Sequence, residues 1–583
     1  MKLARAVVAL AVLSSCSDAE RRLPLELERG SASGFDLLLV TLDTMRADRL
    51  GAYGYAEAKT PTLDRLAREG LRFETALSPV PLTLPAHATI LTGLDPASHG
   101  VRHNGVFELD TSHRTLAEAL RSRGYRTAAF VSSFVLDSRY GLGGGFETYD
   151  DRVDSGAGAS FGALESERSA SQVTDAAMEW IEKRPGDSPS FLWVHYYDAH
   201  FPYAGSYDEE IASVDSQMGR LLSSLEENAR PILVVAVGDH GESLGEHREK
   251  THGKLLYDAT QKVPWILWAP SLLKGPLVVE DVVGLADVAP TILDLLGLEV
   301  PTEIDGESLL RTDGEDRLFY LETLAPYLDH GWAPLHGMRS RRAKYIDAPK
   351  AEYYDLENDP GERTNLFGSS AARSTELLKS ALDRKLERSE APADPVREVD
   401  PEELRRLQSL GYLAGAGPAP SGELPDPKDM MPVLQLLEEA EASRQAGRIE
   451  DAIEKVERAR KGAPGDLQAL QQLGILYAYR GRFGEAGELF RECLAVKKDP
   501  NVTILLANVL RESGRAAEGR KLVEEEIEAS PDHGGLLVTL GDFFAAEGRA
   551  AEALTWYRRA KEVDPYRASK LADSRILELR SRR

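Results

Sequence analysis

Residues 35–43, FDLLLVTLD, form a short, nearly unbroken apolar run closed by an acid. A surface helix repeats its apolar residues every three or four positions and a half-exposed strand alternates. A run apolar throughout suits a strand buried on both faces. Two further runs have this form: FLWVHYYDAH places Asp198 and His200 at its end, and ILVVAVGDHGE ends in Asp239 and His240. Amphipathic helical stretches lie between them, in TLDRLAREG behind Thr60 and Pro61, over residues 116–123 and over 208–227. Such alternation predicts an α/β fold, a sheet of parallel strands flanked by helices. Ligands of such sheets collect at the carboxyl ends of the strands, where these acids and histidines fall.

The stretch 81–93, PLTLPAHATILTG, supplies a hydroxyl to the same region. Pro85 suits a first helical turn, 86–91 is a good apolar helix, and Gly93 stops it, which places Thr83 at the helix entrance. Free N–H groups and partial positive charge at a helix N-terminus suit a phosphate or sulfate under attack by a nucleophile held there. The same features also suit Thr83 as a plain N-cap. Asp43, Asp239, His240 and the Thr83 hydroxyl would give a divalent ion such as Zn, Mn or Ca three oxygens and one nitrogen. Coordination lowers the pKa of a bound hydroxyl, so a metal would turn Thr83 from a poor nucleophile into a competent one.

The 583 residues allow two or three domains, each with its own core. A net charge of -25 argues against a nucleic-acid partner, since phosphate backbones are bound through clustered Lys and Arg. Only Cys16 and Cys493 are present, in settings too different to pair, so disulfides do not hold the fold. Residues 1–16 carry Lys2 and Arg5, an apolar run too short to span a bilayer, and small residues before Cys16. That pattern resembles a bacterial lipoprotein signal, with Cys16 the acylated residue of an exported, membrane-anchored protein. Residues 17–34 then form a polar linker of roughly 23 Å reach, which keeps the following domain near a membrane.

Residues 35–367 resemble the sulfatase family of the alkaline phosphatase superfamily. The matching pieces, in order, are LLVTLDTMRADRLGAYGY, TPTLDRLAREGLRFETA, TLPAHATILTG, VGDHGESLGEH and EYYDLENDPGERTNL. The resemblance implies a central mixed sheet, one or two divalent metals and in-line attack on a sulfuryl or phosphoryl centre with a covalent intermediate. By resemblance Asp43, Asp239 and His240 are metal ligands and Thr83 is the nucleophile. The chain departs from true sulfatases in reading Thr83, Leu84, Pro85, Ala86, His87 where they have C-x-P-x-R or S-x-P-x-R, whose first residue becomes formylglycine. Threonine cannot give that aldehyde. Thr44 also follows Asp43 where sulfatases tend to have a second acid.

The set of Asp, Thr, Asp and His looks more like the phosphodiesterase, nucleotide pyrophosphatase and phosphoglycerol transferase branches. Asn104 would match the asparagine that contacts a substrate oxygen there, and it equally suits a turn with Gly105. Asp198, His200 and His252 could supply a second metal, whereas in sulfatases residues matching His200 and Lys254 contact the substrate. His252 and Lys254 therefore compete for one role. Arg102 and His103 could face the anion or lie in a solvated loop. Asp215, in the 208–227 helix, reads as a buried structural partner. A helix over 281–296, with Pro290 inside it, and the strand-like LFYLE and HGMRSRRAKYI close the domain.

Residues 368–427 read as a charged helical extension and a Gly/Pro-rich linker, from which 428–583 differ by repeating. Gly-Arg pairs recur at 447, 481, 514 and 548, and Pro464, Pro500, Pro531 and Pro565 follow them. Ala452, Ala486 and Ala553 each stand five residues after a repeat glycine, where small side chains let helices approach. This resembles the tetratricopeptide repeat, a helix-turn-helix unit stacked into a solenoid that binds a protein partner or serves as a spacer. The expected activity is metal-dependent hydrolysis or transfer of a phosphate ester through phosphothreonine. The alternatives are a sulfuric ester hydrolase using unmodified Thr83 and an inactive repeat scaffold.

Overall fold

The computed structural model describes residues 27–153, 167–184, 186–226, 230–310, 317–369, 372–389, 406–407, 423–496, 498–563 and 567–581. The leader 1–16 with Cys16, residues 17–26, most of the 415–427 linker and Pro565 lie outside the described residues. Among the described residues eight strands form one sheet in the order β4-β3-β5-β1-β6-β7-β2-β8. They are β1 (Asp36–Leu42), β2 (Leu71–Leu77), β3 (Arg126–Phe130), β4 (Thr148–Asp150), β5 (Ser190–Tyr196), β6 (Ile232–Gly238), β7 (Lys262–Trp268) and β8 (Leu277–Gly284). The central β1 runs parallel to β5 and β6 on either side. β7 runs antiparallel to β6 and β2, so the sheet is mixed.

β1 lacks alternation because both its faces are covered. Leu37 and Leu39 join one apolar cluster, and Leu38, Val40 and Leu42 join another. The second cluster includes helices α1 (Pro61–Glu69), α5 (Ala170–Lys183) and α6 (Tyr207–Glu226). The first includes α2 (Thr83–Thr92), α4 (Leu116–Arg121) and α8 (Val288–Leu295). Short helices α3 (Pro96–His99), α7 (Asp258–Gln261) and α9 (Ala325–His330) lie in connections. Asp215 is structural: it accepts from the Thr62 and Leu63 N–H groups at the start of α1.

The expected helix over 281–296 is corrected at its first half. LVVEDVVG is the edge strand β8, paired in parallel with β2, and Pro290 sits in the first turn of α8, where no N–H is missed. β-branched residues at the sheet edge outweigh the helical pattern there. A second, antiparallel sheet follows, β12-β11-β10-β9, from β9 (Phe319–Thr323), β10 (Leu335–Arg339), β11 (Ala343–Asp347) and β12 (Glu352–Asp355). Helix α10 (Ala372–Glu387) packs on it through Leu378 and Leu382.

Among the described residues nine helices then stack in sequence: α11 (Pro427–Gln445), α12 (Ile449–Gly462), α13 (Leu467–Tyr479), α14 (Phe483–Val496), α15 (Pro500–Glu512), α16 (Ala516–Ala529), α17 (Gly534–Ala546), α18 (Ala550–Val563) and α19 (Arg567–Ser581). Each repeat glycine has positive φ, from 74° to 82°, as the turn between paired helices requires. Where the third repeat lacks the alanine it has Gly519, whose Cβ would lie 2.7 Å from the Ala507 carbonyl oxygen. The first helices of the solenoid share an apolar core with the preceding region, Met430, Met431 and Leu437 joining Leu255, Leu256, Tyr257 and Trp332.

Candidate active site

β1 and β6 are neighbours, so their ends bring Asp43 and Asp239–His240 together although the sequence separates them by about two hundred residues. Ligand atoms of Asp43, Asp239 and His240 lie within 4.8 Å of one another, and all three side chains are buried. Helix α2 delivers Thr83 to this group, its Oγ1 standing 3.3 Å from His240 Nε2. Leu82 is the N-cap residue and makes no side-chain cap, and Thr83 is the first helical residue. The plain capping role for Thr83 is thus not realised, and its hydroxyl turns to the strand ends. The backbone beside Asp43 is constrained: Thr44 has φ of 53°, its N–H donates to Asp239 Oδ1 at 3.1 Å and its carbonyl accepts from the Tyr207 hydroxyl.

The donor set fits a divalent cation. Asp43 Oδ1 and Asp239 Oδ2 are buried with no hydrogen-bond partner in the protein, which two facing carboxylates do not sustain without a compensating charge. Burial pushes the Asp43 carboxyl well above its usual range, and burial plus the nearby Asp43 does the same to Asp239. Burial lowers His240 to about 4. Its Nδ1–H donates to the Gly241 carbonyl at 3.0 Å, which leaves the Nε2 lone pair facing Thr83 and Asp239.

Two histidines that the sequence reading missed support this set. His195 on β5 donates from Nε2 to Asp43 Oδ2 at 3.2 Å and accepts at Nδ1 from the Ser132 N–H. His87 donates from Nδ1 to the Thr83 carbonyl at 2.8 Å and accepts at Nε2 from Thr41 Oγ1. His87, His195 and Asp239 also lie within ligand distance of one another. All four imidazole nitrogens of that pair are already engaged, so these rings orient the ligand set and the α2 entrance. The usable signal for His195 was parity: residues 191, 193 and 195 share the face of β5 that meets α2, and His195 stands opposite Thr41.

The other expected residues divide. Asn104 is buried; its Oδ1 accepts from the Leu84 N–H at 2.9 Å, and its Nδ2 has no hydrogen-bond partner, a donor left for an incoming oxygen. The His252 ring centroid lies 4.5 Å from that of His240 and 4.9 Å from that of His200. His252 Nδ1 donates to Glu242 Oε1 at 2.9 Å. Burial lowers His252 to about 3 and moves His200 the same way. Lys254 donates to Asp329 and His103 faces the same carboxylate. Arg102 is buried and donates to both oxygens of Glu322.

Asp198 is not brought to the His200 and His252 rings as a third ligand. Both its oxygens accept from the Ala170 N–H, so it holds the first N–H of α5, whose N-cap is Ser169. The second metal set expected from Asp198, His200 and His252 is thereby reduced to its two histidines.

The family described as Sulfatase matches residues 36–298, and that described as N-sulphoglucosamine sulphohydrolase, C-terminal, matches 245–391. Tetratricopeptide repeats match 437–501 and 504–568. The chain is 24% identical over 455 residues to an arylsulfatase of Clostridium perfringens, covering 60% of this chain and 94% of that one. It is 25% identical over 475 residues to the multifunctional alkaline phosphatase superfamily protein PehA of Trinickia caryophylli, covering 58% and 92%. Among solved structures, one in complex with its substrate D-glucosamine-2-N,6-O-disulfate superposes with a TM-score of 0.53 at 20% identity, over 62% of this chain and 100% of that one. Together with the strand-end acids and the helix-borne hydroxyl, these matches make residues 36–298 a sulfatase-type hydrolase region of the alkaline phosphatase superfamily, followed by C-terminal tetratricopeptide repeats.

Proposed function

We propose that the chain hydrolyses a sulfuric or phosphoric ester with the unmodified Thr83 hydroxyl as the attacking group. The observation that carries this reading is the buried Thr83 Oγ1 at the head of α2, 3.3 Å from His240 Nε2 and beside two carboxylate oxygens without partners. Asp43, Asp239, His240 and Thr83 would hold the cation, which supplies positive charge to ionise the hydroxyl and offset the oxyanion. Thr83 Oγ1 gives up its proton to solvent and forms the new bond to sulfur or phosphorus, while the ester oxygen departs with its electron pair and takes a proton from solvent. Asn104 Nδ2 donates to a non-bridging oxygen, and Lys254 and His103 line the anion's side. Water then releases the group from Thr83.

A sulfuric ester is the class favoured by the relatives, several of which are named sulfatases. A phosphorus ester is the second reading, and a single residue favours it: Thr83 cannot be converted to the aldehyde on which sulfatases rely. Turnover of aryl sulfate, aryl phosphate and aryl phosphodiester by the purified protein, with metal content measured, separates the two. Thr83→Ala should abolish turnover of the preferred ester, by about a thousandfold or more, while the protein still folds. Undiminished turnover would remove Thr83 from the reaction.

The solenoid is read as a surface for a protein partner. Export and lipid anchoring rest on the leader alone and are tested by acyl labelling that Cys16→Ser should abolish. Among the described residues no helix is long and apolar enough to cross a membrane.

A further inference from the structure

Asp329 is a buried acid on α9 that the reaction above does not use. Lys254 Nζ donates to its Oδ2 at 2.7 Å, and His103 Nε2 lies 3.3 Å from its Oδ1. One carboxylate thus receives two side chains that arrive on separate loops. Each is also fixed at its other end. His103 Nδ1–H donates to the Asn104 carbonyl at 2.9 Å, and the Lys254 N–H donates to Glu249 Oε1 at 2.7 Å. Both loops abut the attacking group: Gly253 packs against Leu82, immediately before Thr83, and Asn104 holds the Leu84 N–H immediately after it.

Helix α9 is itself seated by the solenoid. Trp332 lies in the apolar cluster shared with Met430, Met431 and Leu437, and it stacks on His330 at 4.1 Å. His330 Nδ1 stands 3.8 Å from the Asp466 carboxylate at the start of α13, and the Ala333 N–H donates to the Pro425 carbonyl at 2.9 Å. The lysine loop rests on the same helices: Gln435 donates to the Arg248 carbonyl, and Lys250 pairs with Glu438 at 3.3 Å.

We propose that Asp329 is the positioning residue that aims Lys254 and His103 at the oxyanion held by Thr83, on a helix that the first repeats keep in place. The inference rests on Thr83 as the attacking group. A lysine ammonium on a flexible four-carbon stem samples many rotamers, and a fixed acceptor removes that freedom before substrate arrives. Misplacing such a group by about 1 Å can lower a rate about a hundredfold.

Asp329→Glu in the full chain, loaded with divalent metal, keeps the charge and moves the carboxylate by one methylene. We expect kcat on the preferred aryl ester to fall about tenfold with KM within about threefold, and Asp329→Asn to lower kcat further in the same pattern. The Nε2 nitrogen resonance of His103 should move in both variants. A kcat for Asp329→Glu within twofold of wild type overturns the proposal, because a mere counter-ion would be satisfied by glutamate. If the wild-type protein turns over no ester, the Thr83 reading fails separately. The His103 resonance then decides, and an unmoved signal in Asp329→Glu overturns the proposal.

Discussion

The sheet region and the solenoid bury different chemistry. At the ends of β1 and β6 the interior holds Asp43, Asp239, His240, His195, His87 and Asn104, with several polar atoms lacking a protein partner. In the solenoid the interior is aliphatic and aromatic, and its buried polar side chains serve the helices: Asp466 accepts from the Ala469 N–H, and Ser443 and Thr539 donate to carbonyls of the preceding turn. On the solenoid surface each repeat arginine pairs with the acid three positions on, as in Arg482–Glu485, Arg515–Glu518 and Arg549–Glu552. At the strand ends a bound cation would compensate the unpartnered carboxylates, whereas the buried Asp466 carboxylate of the solenoid faces a helix N-terminus.

The largest effect should come from Asp239→Asn, which sets function against stability. Metal affinity should fall at least a hundredfold and turnover with it, while the metal-free protein melts higher because one uncompensated buried charge is gone, a gain of about 1–3 kcal/mol. Metal analysis and a melting curve check both, and full metal retention would remove Asp239 from the ligand set. Gly519→Ala probes the other region. Alanine normally improves a helix, but here its Cβ meets the Ala507 carbonyl at 2.7 Å and Phe543 at 2.9 Å, so the solenoid should lose about 1–3 kcal/mol. Turnover should stay within twofold; a higher melting temperature would show that the two helices move apart freely.

Acid should also distinguish the regions, because eleven of the twelve histidines precede the solenoid. Burial lowers His99 to about 3 from its ordinary 6.5, and its Nε2 faces Thr89 Oγ1 at 3.1 Å. A depressed histidine pKa means that the unfolded chain binds the proton more readily. Stability is therefore intact above about 6.5 and lost progressively as pH falls towards 3. His99→Gln should flatten that slope in denaturant titrations of the sheet region, and an unchanged slope would assign acid sensitivity to other groups. The smallest effect belongs to Arg515→Ala. Its exposed pair with Glu518 should contribute about 0.2–1 kcal/mol, a melting shift near the limit of measurement.

The sheet was legible because its evidence is local. DLLLVTLD and ILVVAVGDHGE declare strands buried on both faces, and their terminal acids declare a site. The repeats were legible for the same reason, since a Gly-Arg pair recurs every 33 or 34 residues. At β8 the local pattern misled: a helical reading of 281–296 missed a strand whose place is settled by pairing with β2.

By itself, then, the sequence determined the α/β sheet, the helix that carries Thr83, the trio of Asp43, Asp239 and His240, and the repeat turns. Each is written in periodicity, in a strand-end acid or in a glycine that the backbone requires. Only the tertiary structure decided which polar residues surround that trio. It set His195 against Asp43, turned Asp198 to the first N–H of α5, engaged Arg102 with Glu322, and joined Lys254 and His103 at Asp329. The physical reason is that a single side-chain pairing across scores of residues leaves no period in the chain. It exists only once sheet order and helix packing have brought the two groups within hydrogen-bond distance.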